Sequence, residues 1–473
     1  MLLPTMAKGG TALLIATMIL GVLMDGIDGS IVNVALPSIA HGFGTDTSVV
    51  SWVTISYFLM LAGLLLPFGR IADAGHIRKV FLLGFVVFTA GSTACALSPS
   101  LSLLIASRVV QGIGAAALAA VAPMICVKLL PSEHLGRSLG IMSVASALGF
   151  ALGPALGGFL VGMLSWHWIF LINIPIGVLG VVLGHMSLPR EETSKVTVDL
   201  KGTFLLFSGV GSGVIALERV SYPDERMVCV VFAVLAVVLL VLFALESLRS
   251  RNPLFDVRLF KIRDLDLTLL SYTLINLVYM GVLYILPFYM DLELGMTSMQ
   301  SGVMLLLPSV VSLILNVPVG NYSDKHGRRT FAIIATVFGI AYSAVLYVIE
   351  PEMGVVPLVV VALGMGLVWG FCGAASSGRI VDSLEPKDKA IGSSLMTFFM
   401  YIGSTVGTAL FASLLTSGAG AGGVPIEDLT SEAFMSGMSF AMLWAVILSA
   451  VSMVAAYAVD ERKRGAANRA PDS

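Results

Sequence analysis

Long, uninterrupted apolar runs constrain this chain more than any other feature of its sequence. Of 473 residues, 57% are hydrophobic and only 12% are charged, whereas a soluble protein carries about 25% charged residues. A soluble core could not bury so much apolar surface. The runs are also too long and too continuous for the alternating strands of a membrane β-barrel. The sequence therefore predicts an all-α polytopic membrane protein.

Fourteen apolar runs approach the length of about 20 residues that a membrane-spanning helix needs. The first six occupy 11–38, 48–68, 80–97, 101–127, 138–162 and 168–187. A central pair occupies 202–218 and 227–245, and the last six occupy 266–289, 298–319, 331–349, 354–376, 391–415 and 433–458. The central pair is the least regular, because its first run is short and rich in glycine. Twelve spans is therefore the alternative.

The distribution of basic residues predicts how the chain is oriented. If the N-terminus is cytoplasmic, 24 of the 27 Lys and Arg residues fall on the cytoplasmic side. Arg108 lies inside the fourth span, and Arg219 and Arg226 lie in one outer loop. Because cytoplasmic loops of membrane proteins are enriched in Lys and Arg, we expect an even number of spans, a plasma-membrane location and both termini in the cytoplasm.

Two similar loops divide the chain into halves. GRIADAGHIRK at 69–79 and GNYSDKHGRR at 320–329 each follow the second span of a group of six. The predicted organisation is a six-helix N-terminal half at 1–188, a central linker with two extra helices at 189–263, a six-helix C-terminal half at 264–460 and a cytoplasmic tail at 461–473. Two related halves around a site at the bilayer midplane are typical of secondary transporters.

The sequence shows no sign of an enzyme or of direct use of ATP. It contains no GxxxxGK[ST] phosphate-binding loop and no HExxH or CxxC pattern, and its loops are too short for a catalytic domain. The net charge of −2 gives no reason to expect a nucleic-acid partner. We expect no metal and no cofactor, so the energy must come from an ion gradient or from the gradient of the substrate.

Two acidic residues lie deep in the first span. At a rise of 1.5 Å per residue, Asp25 and Asp28 are about 20 and 24 Å from the inner surface, and their spacing places them on one helix face. An ionised carboxylate at this depth is costly unless it is paired, hydrated or protonated. Such a pair suits a proton carrier from which a cationic ligand displaces the proton. A structural pair held by hydrogen bonds is the alternative.

Several segments resemble the major facilitator superfamily, in particular its fourteen-span branch of drug:proton antiporters, which are multidrug efflux transporters. These are DGSIVNVALPSI in the first span, the loop at 69–79, RVVQGIGAA in the fourth span, GFALGPALGG in the fifth and WHWIFLINIPIG at the start of the sixth. The resemblance implies proton coupling at Asp28, with Asp25 sharing the proton or contacting substrate. It also implies that Arg108 transfers protons or tunes the acidic site. A clamp bonded to backbone carbonyl groups is the alternative for Arg108.

The fifth span carries a string of glycines and a proline that resembles the motif marking those family members that exchange substrate against protons. Its members are Gly149, Gly153, Pro154, Gly157 and Gly158. Small residues at this spacing let helices approach closely, and the proline permits a bend because it removes a backbone hydrogen bond. The motif therefore favours antiport over uptake.

The resemblance also implies that the two similar loops form a charge clasp between helix ends, which breaks as the halves rock. The first copy departs from the family pattern at Ala74, His76 and Ile77. The clasp is therefore expected to be weaker in the N-terminal half, or to depend on Arg78 and Lys79 alone. Fixing the topology is the alternative role for these charges. The gating candidates are Gly69, Asp73, Arg78, Lys79, Gly320, Asp324, Arg328 and Arg329. The two glycines among them are expected to allow close helix packing at the turn.

Candidates for substrate binding are Asp25 and polar or aromatic side chains in the second half, because aromatic faces attract cations. The second-half candidates are Asn276, Tyr279, Tyr284, Trp369, Phe398, Phe399 and Tyr401.

The complete prediction is a monomeric secondary transporter in the lipid bilayer. It would be a proton-coupled antiporter that exports lipophilic, often cationic, drugs or related small molecules by alternating access, which would give antibiotic resistance. A symporter or facilitator for uptake or export of a specific metabolite is the alternative, and a non-transporting membrane sensor is the third.

Overall fold

The structure is a computed structural model that describes residues 8–130, 135–190, 198–250, 252–384 and 389–459. Within these residues the chain forms helices and no β-strand, so the all-α prediction is confirmed. The predicted tail at 461–473 lies outside the described residues. The α-helices are α1 (Lys8–Phe43), α2 (Thr47–Val50), α3 (Trp52–Ile71), α4 (Ile77–Ala96), α5 (Leu101–Leu129), α6 (Leu135–Met163), α7 (Trp168–Leu171), α8 (Asn173–Ser187), α9 (Leu200–Arg219), α10 (Arg226–Arg249), α11 (Arg263–Leu292), α12 (Ser298–His326), α13 (Arg328–Tyr347), α14 (Val356–Asp382), α15 (Lys389–Gly418) and α16 (Ser431–Ala458).

Thirteen stretches of the described chain are long and apolar enough to cross a membrane. One of them, Thr47–Ala96, has 50 residues. It would be about 75 Å long as a single helix, more than twice the hydrocarbon thickness of about 30 Å. It is interrupted at Gly75, whose φ of 89° lies outside the helical region. If α3 and α4 are counted separately, the total is the predicted fourteen, although the 6+2+6 division stays a prediction.

The same helix pairs pack together near both ends of the chain. In the first bundle, α1–α8, helix α1 packs on α6 and α8, and α5 packs on α3 and α4. In the second bundle, α11–α16, helix α11 packs on α15 and α16, and α14 packs on α12 and α13. The two sets of contacts correspond if the short helices α2 and α7 are left out and the remaining helices of the first bundle are matched in order with α11–α16. This agrees with a plan of two related halves, whose exact boundaries stay a prediction.

The two bundles meet through α6 and α12 and through α3 and α15. Helix α9 packs on α10, on α3 and on α15, so the central pair contacts both bundles. Most side chains of α10 are exposed even though they are apolar, which is expected of a helix that faces lipid.

Contacts between the bundles close one end of the molecule, where α1 ends, and this is the predicted outer end. The hydroxyl oxygens of Thr47 and Thr416 are 3.0 Å apart, and the Tyr284 hydroxyl donates to the carbonyl oxygen of Thr47. Nearby, His41 Nε2 lies 3.1 Å from Asp291 Oδ2. The structure therefore holds the bundles together at this end.

Candidate functional site

The two acidic residues of α1 lie in different environments. Asp28 is fully buried inside the first bundle, where Arg108 Nη1 of α5 lies 2.6 Å from its Oδ2. Gln111 Nε2 donates to Asp28 Oδ1 at 2.7 Å, and Asn173 Nδ2 of α8 donates to the same oxygen at 3.1 Å. These donors satisfy both oxygens of a buried carboxylate.

Arg108 is as deeply buried as the carboxylate that it pairs with. Its Nε donates to the carbonyl oxygen of Val53 at 2.8 Å, and its Nη1 also donates to Gln111 Oε1 at 2.6 Å. The guanidinium carbon lies 4.1 Å from the centre of the Tyr57 ring, within the range of a cation–π interaction. Arg108 is thus both ion-paired and bonded to the backbone, and its part in proton transfer stays a prediction.

Asp25 is partly exposed and lies where the two bundles meet. Tyr57 Oη of α3 donates to Asp25 Oδ1 at 2.8 Å, and Tyr401 Oη of α15 donates to Oδ2 at 3.2 Å. The Tyr401 ring is stacked on Phe58 with centroids 6.2 Å apart. None of the ion pairs found in the described part of the chain includes Asp25.

The structure therefore brings Asp25, Asp28, Arg108 and Tyr401 together out of the residues that the sequence analysis selected. Tyr57 and Asn173 also hydrogen-bond to the acidic pair, and neither was among the predicted site residues. Each is a polar side chain inside an apolar span, which was the available signal. The sequence alone could not show that they face α1.

Three substrate-binding candidates, Asn276, Tyr279 and Trp369, make their described contacts within the second bundle. The rings of Tyr279 and Trp369 meet edge to face with centroids 5.5 Å apart. Asn276 is fully buried between α11 and α15, where its Nδ2 donates to the Met400 carbonyl oxygen at 2.5 Å and to Ser404 Oγ at 3.1 Å. Asn276 thus joins two helices, and a substrate contact for these residues stays a prediction.

Two more candidates, Phe398 and Phe399, pack against the segment that precedes α11. The Phe398 ring lies 5.8 Å from that of Phe255, and the Phe399 ring lies 5.9 Å from that of Phe260. Tyr284, described above, belongs to the contacts at the outer end. The eight substrate-binding candidates consequently do not form one cluster.

The glycine motif of α6 makes two different close contacts. A Cβ atom on Gly153 would lie 2.9 Å from the carbonyl oxygen of Ile27 on α1. A Cβ atom on Gly158 would lie 3.0 Å from the Cα of Gly302 on α12, in the other bundle. These separations leave no room for a side chain, so the motif permits close packing both inside the first bundle and between the bundles.

The first copy of the loop motif connects helix ends within the first bundle. Asp73 Oδ1 lies 2.8 Å from Lys128 Nζ at the end of α5, and Arg78 donates to the carbonyl oxygen of Leu188 after α8. Lys79 is exposed. The acidic residue of this copy is therefore paired with a lysine outside the motif.

The second copy connects helix ends within the second bundle in a similar way. Arg328 is ion-paired with Asp382 at the end of α14, and Arg329 donates to the carbonyl oxygen of Tyr457 near the end of α16. The side chain of Asp324 lies outside the described part of the chain. Whether these contacts break during transport stays a prediction.

The glycines of the loop motif need one correction. A Cβ atom on Gly69 would meet no atom of the described residues within 4 Å, so close packing does not explain a glycine there. The conformationally demanding residues are Gly75 and Gly327, with φ of 89° and 95°, values that disfavour other residue types. In the family pattern, a glycine stands at the position of His76. The first copy has its turn glycine one residue earlier, at Gly75.

Two related helical bundles with charged side chains buried between helices agree with the general plan of a secondary transporter. The model of the Major Facilitator Superfamily matches residues 18–408, and the chain belongs to this family. It is 31% identical over 415 residues to the multidrug resistance protein B homolog of Mycobacterium tuberculosis, covering 84% of this chain and 75% of that relative. It is 29% identical over 397 residues to the riboflavin transporter RibZ of Clostridioides difficile, covering 83% and 86%.

The fold also resembles a solved structure. The crystal structure of a bacterial homolog of the human lysosomal transporter Spinster, in an inward-facing and unoccupied conformation, matches with a TM-score of 0.68 and 15% identity. The match covers 95% of this chain and 98% of that one, and it shows the fold alone. Membership of the Major Facilitator Superfamily makes the chain a multi-pass membrane transporter and not an enzyme.

Proposed function

We propose that this transporter is a proton-coupled antiporter that exports lipophilic, often cationic, compounds by alternating access, and that substrate and proton exchange at Asp25. The position of Asp25 carries the proposal. It is a partly exposed carboxyl group at mid-depth, it receives hydrogen bonds from both bundles, and the described residues provide it with no ion-pair partner. Similarity to a protein named for multidrug resistance supports drug export.

The chemistry follows from the difference between the two acids. Asp28 has Arg108 as its counter-ion, whereas Asp25 has two phenolic hydroxyl groups. A carboxylate at this depth without a cation is costly, so binding either a proton or a cationic substrate is favourable. The negative charge of Asp25 is compensated either by a proton or by a cationic substrate. Mutually exclusive binding at a single carboxyl group is what antiport requires.

The remaining roles complete the proposal. The Arg108–Asp28 pair tunes the acidic site, and the two loop motifs act as clasps that open and close as the bundles rock. Tyr279 and Trp369 present aromatic faces that suit an apolar cation. The protein works as a monomer in the plasma membrane, with both termini in the cytoplasm and the proton gradient as its energy source.

A second candidate function is transport of one specific metabolite by symport or facilitated diffusion. The similarity to a protein named as a riboflavin transporter supports it. A neutral or anionic substrate would gain nothing from an unpaired carboxylate, which is why the exporter of cations is preferred.

The direction of proton movement separates these functions. We expect that ethidium, taken up by proteoliposomes with a pH-sensitive dye inside, makes the interior more alkaline, because each substrate cation that moves in sends protons out. A symporter would acidify the interior and a facilitator would leave its pH unchanged. Protein-free liposomes give the leak, and a potassium gradient with valinomycin fixes the membrane potential. Acidification or an unchanged pH would exclude the antiport proposal.

A further inference from the structure

Asp25 is bound by side chains of both bundles at mid-depth. Tyr57 comes from α3 of the first bundle and Tyr401 from α15 of the second, and both side chains are buried. Among the described residues, the charged neighbour of Asp25 is Asp28 on the same helix, and Asp28 is paired with Arg108. The hydrogen bond from Tyr401 is therefore the polar contact of Asp25 that crosses from one bundle to the other.

The strength of this contact depends on the charge of Asp25. A hydrogen bond to an ionised carboxylate is stronger than one to a neutral carboxyl group. Proton or cation binding at Asp25 consequently weakens the bond from Tyr401. The usual difference between charged and neutral hydrogen bonds corresponds to a shift of about fivefold in a two-state equilibrium.

We infer that Tyr401 is a positioning residue that transmits the charge of Asp25 to the second bundle. Ionised Asp25 holds α15 against the first bundle, and neutralised Asp25 releases it. The inference rests on the proposed exchange at Asp25 and adds the path from that exchange to movement of the bundles. Tyr57 provides the matched comparison, because it binds the same carboxyl group from within the first bundle.

Spin labels at the outer ends of α4 and α13 report the separation of the bundles. Leu97→Cys and Val348→Cys place the labels at well-exposed positions, 73% and 61% accessible. Cys229→Ser removes the one natural cysteine that is not buried. Pulsed electron paramagnetic resonance then gives the distance distribution at acidic and at alkaline pH.

In the labelled protein without further substitutions, we expect a short label distance from molecules with a closed outer end and a long one from molecules with an open outer end. The ratio of these two populations should change about fivefold between acidic and alkaline pH. Asp25→Asn removes this response because the charge no longer changes. Tyr401→Phe removes it as well, since the contact between the bundles is lost while the ring is kept. Tyr57→Phe keeps the response, because the contact between the bundles through Tyr401 is intact.

The outcomes separate the inference from the proposed function. If Tyr401→Phe responds to pH like the unaltered protein, or if Tyr57→Phe loses the response equally, the inference is overturned and the exchange at Asp25 stands. If Asp25→Asn keeps the full response, the exchange at Asp25 is itself overturned.

A second inference concerns the loop between α9 and α10 and is independent of Asp25. Asp46 is buried at the outer end, where its Oδ1 accepts the amide hydrogen of Val49 at 2.7 Å and caps α2. Its Oδ2 accepts from Tyr222 Oη of the α9–α10 loop at 2.9 Å and from the amide of Gly423, after α15, at 3.2 Å. One carboxylate therefore joins both bundles and the central pair.

A neighbouring residue of the loop strengthens this junction. Ser221 Oγ donates to the carbonyl oxygen of Ser413 on α15 at 3.2 Å. Ser417 Oγ, also on α15, lies 3.4 Å from Ser221 Oγ. Burial, and the nearby carboxylate of Asp46, raise the pKa of Tyr222. Its hydroxyl therefore stays protonated and can donate at neutral pH.

We propose that the α9–α10 loop is a latch that stabilises the closed outer end, and that the central pair positions it. In the spin-labelled protein, Tyr222→Phe is expected to lower the ratio of closed to open molecules about tenfold, because a hydrogen bond to a charged group is lost. Tyr289→Phe is the matched control, since its buried hydroxyl has no partner among the described residues. An unaltered ratio in Tyr222→Phe, or an equal change in the control, would overturn the latch.

Discussion

Asp25→Asn is expected to reduce proton-driven export of ethidium to the leak rate of protein-free liposomes while leaving the protein folded. Asparagine has the same shape, and its carbonyl oxygen accepts from one of the two hydroxyl groups that bind Asp25 while its amide nitrogen can donate to the oxygen of the other. It carries neither the negative charge that attracts a cation nor the proton that is exchanged. Transport rates in proteoliposomes under an imposed pH gradient, normalised to folded protein, measure the effect.

Two comparisons make this result specific. Glu352→Gln removes an exposed carboxylate from an outer loop and should leave transport unaltered. Asp28→Asn is a poorer test, because it would leave Arg108 buried without its counter-ion, which typically costs about 3–5 kcal/mol of stability. Loss of activity in that variant would mix misfolding with mechanism. Full proton-driven export by Asp25→Asn would show that another group exchanges the proton.

Gly153→Leu is expected to lower the transport rate at least about tenfold. A Cβ atom at this position overlaps Ser30 Oγ and lies 2.9 Å from the Ile27 carbonyl oxygen, so α1 and α6 must separate to accept it. Overpacking of this kind costs about 1–3 kcal/mol, and a cost that falls unequally on two conformations shifts their populations. Ethidium transport and thermal unfolding of the same preparations measure the two effects.

The control for this variant lies on the same helix. In the part of the chain that the structure describes, a Cβ atom on Gly140 would meet nothing within 4 Å, so Gly140→Leu should retain normal transport. If Gly153→Leu transports ethidium at the normal rate, the close contact between α1 and α6 is not needed for the cycle. If both variants lose transport equally, added bulk anywhere on α6 is sufficient and the contact has no special part.

The helical fold could be predicted from the sequence because long apolar runs leave few alternatives. Apolar side chains that face lipid and those that face protein look alike in such runs, so the sequence could not tell which residues point to the interior. Asp25 and Asp28 show the consequence. Their spacing of three residues predicted one shared environment, yet the structure places Asp28 against Arg108 and Asp25 at the junction of the bundles.

The substrate-binding candidates show the same limit. Tyr401 reaches the acidic site, whereas Asn276 joins α11 to α15 and Tyr284 joins the bundles at the outer end. All three are polar residues in apolar helices, and only the packing of helices distant in sequence decides which of them face one another. Tyr57 was missed for the same reason.

Proton release on substrate binding tests the central claim most directly. When ethidium is added to the purified protein in weakly buffered detergent solution at a pH where Asp25 is protonated, we predict release of up to about one proton for each ethidium bound, and no release from Asp25→Asn. Binding of ethidium by the unaltered protein without proton release, or the same release from Asp25→Asn, would contradict exchange at Asp25.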